Sequence, residues 1–178
     1  MATGLAALRL LVIDDNKQMR SIIGTVLTAA GVRELGYAAD GAAGLQAVAA
    51  FKPDACYVDY EMPRMDGLDF ISAVRALETD DRYLPIIMLT GHSDRLRLNA
   101  ARDRGVTEFL AKPVTAKTIL TRLSKVIFQP RPFIQAPRYF GPDRRRRVDP
   151  AHGGPWRRAS DAIPMRRTGT DDHDVLEI

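Results

Sequence analysis

A single cysteine, Cys56, stands in a chain of 178 residues. No intramolecular disulfide is possible, which fits a reducing compartment. No stretch approaches the roughly 20 apolar residues that cross a bilayer. The first residues lack the basic start of a secretory leader, and their short apolar run meets Asp14. A cytoplasmic location without membrane contact is the expectation. Zinc-ligand spacings and helix-turn-helix patterns are missing too, so no known nucleic-acid-binding module is visible. Net charge is small, at +4. Residues 1–128 carry 16 Lys+Arg against 15 Asp+Glu, while 129–178 carry 10 Arg, no Lys and 7 acids.

What is present is a regular alternation over the first 128 residues. Strand-like and helix-like segments follow one another, which predicts a parallel sheet with helices on both faces. Apolar runs at 10–13, 55–58 and 86–89 read as buried strands, with weaker ones near 35–38 and 107–110. Between them the period lengthens. Met19, Ile22, Ile23, Val26, Leu27 and Ala30 share one helical face, and Gly31 supplies the stop. Leu45, Val48 and Ala49 mark a second helix; Leu68, Ile71, Val74 and Leu77 mark a third, which Asp66 can cap. Ile119, Leu120, Leu123, Val126 and Ile127 mark the fifth, from near Thr115 to before Pro130. The fourth, about 94–104, offers Leu96, Ala100 and Ala101 as core candidates among four arginines, a thin stripe that packs weakly. Five such units predict an α/β fold with a doubly wound, five-stranded parallel sheet. After Phe128 the periodicity stops. Residues 129–178 hold seven of eleven prolines and read as an Arg/Pro-rich tail, largely disordered or an extended arm.

Chemistry-bearing residues recur at one end of these strands. Asp14-Asp15 closes the first run, Asp59 another, Thr90 a third, and Lys112-Pro113 the last. In an open α/β sheet that end binds the ligand. Taken singly, each has a plain reading: a helix cap, a loop carboxylate, a strand-end threonine, a loop dipeptide. Order and spacing favour the joint one. Three converging carboxylates repel one another and call for a cation. Oxygen-only ligands favour a hard ion such as Mg²⁺. One carboxylate oxygen can then attack a phosphoryl group, a transfer that mainly needs positioning and charge neutralisation.

In these motifs, with Glu61-Met62-Pro63-Arg64-Met65-Asp66-Gly67 after Asp59 and Gly91 after Thr90, the chain resembles the receiver domain of two-component response regulators. The resemblance spans about 9–128 and is of the single-domain, chemotaxis-regulator kind. It implies a flavodoxin-like (βα)5 order, with Asp59 as phosphoacceptor. Asp15 would bind Mg²⁺ directly, Asp14 chiefly through water, and Glu61 through its backbone carbonyl. Thr90 and Lys112 would hold the phosphoryl group, and the Lys112-Pro113 bond would be cis. Phe109, three before the lysine, takes the place of a switch aromatic coupled to Thr90. It lacks the hydroxyl of the commoner tyrosine and must act through packing. Glu61 and His92 occupy positions that tune phosphoryl lifetime. A histidine kinase or phosphotransfer protein would supply the phosphoryl group, and an output protein, still unknown, would read the result. A homodimer through the face from the fourth to the fifth helix is a further expectation. The chain would not be an enzyme for an external metabolite; a related aspartyl phosphohydrolase would need a second acid/base and a cap, and no cap is inserted.

The tail carries Arg144 to Arg147, Arg157-Arg158 and Arg166-Arg167, with Tyr139, Phe140 and Trp156 as candidate docking anchors. The alternative reading is a nucleic-acid-binding regulator that acts through these arginines. Interspersed acids and the missing module count against it.

Overall fold

A computed structural model of the chain describes residues 4–91, 95–137, 139–144 and 162–163. The apolar runs form strands β1 (Arg9–Ile13), β2 (Glu34–Ala38), β3 (Ala55–Asp59), β4 (Ile86–Thr90) and β5 (Glu108–Ala111). They make one parallel sheet in the order β2-β1-β3-β4-β5. Every residue of β3 and β4 is buried, as strands covered on both faces require. Between the strands run α1 (Lys17–Ala29), α2 (Gly41–Phe51), α3 (Gly67–Arg75), α4 (Arg95–Asp103) and α5 (Ala116–Phe128). The five-unit expectation holds.

Alternation along the strands builds two cores, because successive side chains point to opposite faces. Leu11, Ile13, Val58 and Met88 pack with Phe70, Ile71 and Val74 on one side. Leu10, Val12, Tyr57 and Leu89 pack with Ile23, Leu27, Ile119 and Leu123 on the other. Tyr57 reaches across the second core, where its hydroxyl donates to the Ile119 carbonyl at 3.0 Å. Cys56 is buried in the first, and burial pushes its thiol up to about 12, so it packs as a small apolar side chain. Asp66 caps α3 by accepting from the Asp69 amide, as its sequence position predicts.

Helix α4 departs from expectation. Leu96 is 77% exposed and Ala100 is exposed, whereas Ala101 is fully buried. At about 100° per residue, Leu98 and Ala101 share the inward side and Leu96 points away. The apolar stripe is thinner than even the sequence suggests.

The first part of the tail folds onto the α/β domain. Strands β6 (Phe133–Ala136) and β7 (Tyr139–Pro142) pair antiparallel, and β8 (Ala162–Ile163) lies along the other side of β6. Phe133 is fully buried and meets Tyr83 edge-on, with ring centroids 5.3 Å apart. Phe140 joins both rings and carries the Arg82 guanidinium 3.8 Å from its centre. The two aromatic anchors of the hairpin, Tyr139 and Phe140, thus dock on the chain itself. Beneath them lies Arg75, 5% exposed. Its Nε and Nη2 donate to the Gly105 carbonyl, and its Nη1 donates to those of Arg82 and Leu84, all within 3.0 Å. Burial lowers its pKa to about 10, so it stays charged at neutral pH among carbonyl dipoles.

Gly105 permits this close packing. Its φ is +92°, and a Cβ there would lie 2.9 Å from the Phe140 carbonyl oxygen. A second latch is Glu108, 2% exposed on β5. Its carboxylate faces Lys125 at 2.8 Å, Arg131 at 3.2 Å and Arg122 at 3.6 Å. Arg131 also donates to the Thr107 carbonyl. At the far end of the hairpin Arg144 pairs with Asp103 at the end of α4 and stacks 4.0 Å above the Tyr139 ring.

Candidate functional site

The carboxyl ends of the sheet bring the predicted residues together. Asp14 and Asp15 follow β1 directly, Asp59 and Thr90 are the last residues of β3 and β4, and Lys112 follows β5. Asp14 is fully buried, Asp59 and Thr90 nearly so, and Asp15 is exposed. Oxygen atoms from Asp14, Asp15 and Asp59 lie within 4.8 Å of one another. The Lys112 ammonium stands 2.9 Å from Asp59 Oδ1 and 3.8 Å from Asp14 Oδ2. Its backbone amide donates to the Thr90 carbonyl at 2.8 Å, which fixes the ends of β4 and β5 side by side. The Lys112-Pro113 peptide is cis.

Local sequence explains the geometry. Asn16, not either aspartate, caps α1 by accepting from the Gln18 and Met19 amides. Asp14 and Asp15 are thereby left for the site. Asp14 Oδ1 accepts from the Asn16 amide at 2.8 Å. After β3 the chain doubles back tightly: a Cβ on Gly67 would sit 2.3 Å from the Asp59 carbonyl oxygen, and only glycine fits. The turn leaves an open depression of about 500 Å³, lined by Asp15, Tyr60, Glu61, Met62, Pro63 and Asp66.

These residues fit a divalent cation. Asp14 Oδ2 is buried without a hydrogen-bond partner, a costly state for a carboxylate oxygen. The donor set is all oxygen, with waters able to enter beside Asp15, and this suits Mg²⁺. Burial first, then repulsion from Asp59 and Asp15, holds the Asp14 carboxyl above the usual carboxylate range; the Asn16 amide and Lys112 oppose this. A raised acid pKa means that the folded chain binds the proton more tightly than the unfolded one. Its contribution is therefore present below the ordinary aspartate range and lost as pH rises through the folded value. Asp14→Asn keeps an acceptor for the Asn16 amide but removes a buried negative charge beside Asp59 and Asp15. It is expected to stabilise the metal-free chain at neutral pH by roughly 1–3 kcal/mol. The gain should shrink near pH 4, and thermal unfolding in a chelator at both pH values reads it.

Phe109 lies on β5 opposite Met88, half-buried against the first core. Glu61 is exposed, and Arg97 of α4 reaches its carboxylate at 2.5 Å. His92, Trp156, Arg145 to Arg147, Arg157-Arg158 and Arg166-Arg167 lie outside the described residues. Sequence reasoning missed Arg97, Arg75, Glu108 and Arg131 as structural participants. Arg75 had a signal, since it falls four residues after Ile71 on the buried stripe of α3. For Glu108 the signal was a charge inside a predicted strand.

Among the described residues no helix is long and apolar enough to cross a membrane. A five-stranded parallel sheet with acids and a lysine gathered at its carboxyl edge defines a receiver. Residues 10–124 match the family described as the response regulator receiver domain, and the chain belongs to it. Chemotaxis protein CheY-3 of Vibrio cholerae is 31% identical over 119 residues, which cover 67% of this chain and 91% of that protein. The CheY of Pseudomonas aeruginosa is 32% identical over 121 residues, covering 67% and 95%. The solved CheY4 of Vibrio cholerae superposes with a TM-score of 0.63 at 31% identity, covering 67% of this chain and 98% of that one.

Proposed function

We propose that this response regulator accepts a phosphoryl group on Asp59 from a histidine kinase or phosphotransfer protein, in a Mg²⁺-dependent reaction. The observation that carries the reading is the buried Asp14 Oδ2, without a hydrogen-bond partner, beside Asp59, with Lys112 2.9 Å from the acceptor. Asp59 Oδ attacks phosphorus; the new O–P bond forms as the P–N bond to the donor imidazole breaks, and the electron pair stays on that nitrogen. Lys112 neutralises charge on the phosphoryl oxygens, and the Thr90 hydroxyl donates to one of them. Asp14, Asp15, Asp59 and the Glu61 carbonyl would hold Mg²⁺, which would supply two positive charges to the same oxygens. The transition state is loose, so this positioning and neutralisation is most of the work.

Movement of Thr90 toward the phosphoryl group leaves room for the Phe109 ring to turn inward. The consequence is read by protein partners on the α4–β5–α5 face, a second copy of the chain included. The protein acts on its own aspartate rather than on a metabolite, and works in the cytoplasm. The test is an amide NMR spectrum before and after Mg²⁺ with beryllofluoride, which mimics the acyl phosphate. Large shifts at Asp59, Thr90 and Phe109 are expected. Shifts no greater than those from Mg²⁺ alone would remove the phosphorylation reading.

A further inference from the structure

Among the described residues, Arg97 of α4 reaches both residues that follow the acceptor. Arg97 of α4 places Nη1 2.5 Å from Glu61 Oε1, and its guanidinium carbon lies 5.5 Å from the Tyr60 ring centre. Tyr60 and Glu61 line a depression together with Asp15, which offers an oxygen within 4.8 Å of one from Asp59. Asp59 itself is only 6% exposed, so water reaches it through a narrow opening.

We infer that Arg97 is a positioning residue that lengthens the life of the phosphoryl group by holding the Glu61 carboxylate away from attacking water. The inference rests on Asp59 as the acceptor. Hydrolysis of an aspartyl phosphate adds water to phosphorus, breaks the O–P bond and returns a carboxylate and inorganic phosphate. A carboxylate at the mouth can accept a hydrogen bond from that water and orient it, which speeds the step. Arg97 occupies Glu61 with a charge-assisted hydrogen bond and thereby withdraws it. The helix that carries Arg97 is well suited to vary this hold. Only Ala101 of its hydrophobic side chains is fully buried.

The experiment loads the full chain with phosphoramidate and Mg²⁺, removes the donor, and follows loss of the phosphoryl group by intact mass. Arg97→Ala is expected to speed decay about two- to fivefold, the worth of one exposed ion pair. Arg97→Lys should restore most of the lifetime. In a Glu61→Gln background, Arg97→Ala should change nothing. Decay of Arg97→Ala at the wild-type rate or slower overturns the inference, as does equal acceleration in the Glu61→Gln background. Arg97 is partly exposed, so the variants should keep the wild-type unfolding temperature. A wild-type chain that gains no phosphoryl mass would instead sink the acceptor assignment, a result distinct from the others.

Discussion

Asp59→Asn is expected to abolish phosphoryl uptake from both small donors and kinases, with no gain of mass after incubation with phosphoramidate and Mg²⁺. An amide has no anionic oxygen for attack on phosphorus, and substitution also removes one of three charges that would bind the cation. Among the described residues the other carboxylates gathered there are Asp14 and Asp15, and the Lys112 ammonium stands closer to Asp59, at 2.9 Å, than to Asp14, at 3.8 Å. Asp15 is exposed, and Asp14 is fully buried, with Oδ1 engaged by the Asn16 amide. The fold should survive, because Lys112 retains Asp14 within 3.8 Å and Asp59 contributes little to either apolar core. A folded variant that still takes up phosphoryl at the wild-type level would move the acceptor elsewhere.

Phe133→Ala carries the largest expected loss of stability, about 3–5 kcal/mol for an aromatic core truncation. Phe133 is fully buried although it lies beyond the last helix of the sheet domain. It packs on Tyr83 and Phe140 and stands 5.0 Å from the Arg75 guanidinium. Removing the ring opens a cavity against a charged group that the hairpin covers, and water gains access to Arg75. Urea unfolding should show the drop, and hydrogen exchange should show β6 and β7 losing protection first. If stability falls by well under 1 kcal/mol, the hairpin is a loose appendage rather than part of the folded unit.

Much of this molecule is legible in its sequence. Val12 and Val58 sit in runs that must be strands covered on both sides, and Ile119, Leu123 and Val126 repeat with helical spacing. The site is legible for a related reason: a strand's last residue has one place to be, so Asp59 and Thr90 are fixed once their strands are. The hairpin is not legible. Its strands are four residues long, interrupted by Pro137 and closed by Pro142, and the ring of Phe133 finds its partners 50 residues away in Tyr83. Nothing local specifies such a contact. Glu108 is similar: a charge in a short strand reads as exposed until Lys125 and Arg131 arrive from elsewhere to enclose it. Leu96 misleads in the opposite way, because hydrophobicity alone does not say which side of a nine-residue helix is inward.

The docked hairpin redraws the boundaries of the transferable piece. In a chain ending after Phe128, Arg75 would stay bonded to its three carbonyls but lose the aromatic roof above them, and Glu108 would lose Arg131. Recombination that grafts this receiver onto another output module at that joint would deliver an incomplete unit. The module that evolution can move intact runs at least to Arg144.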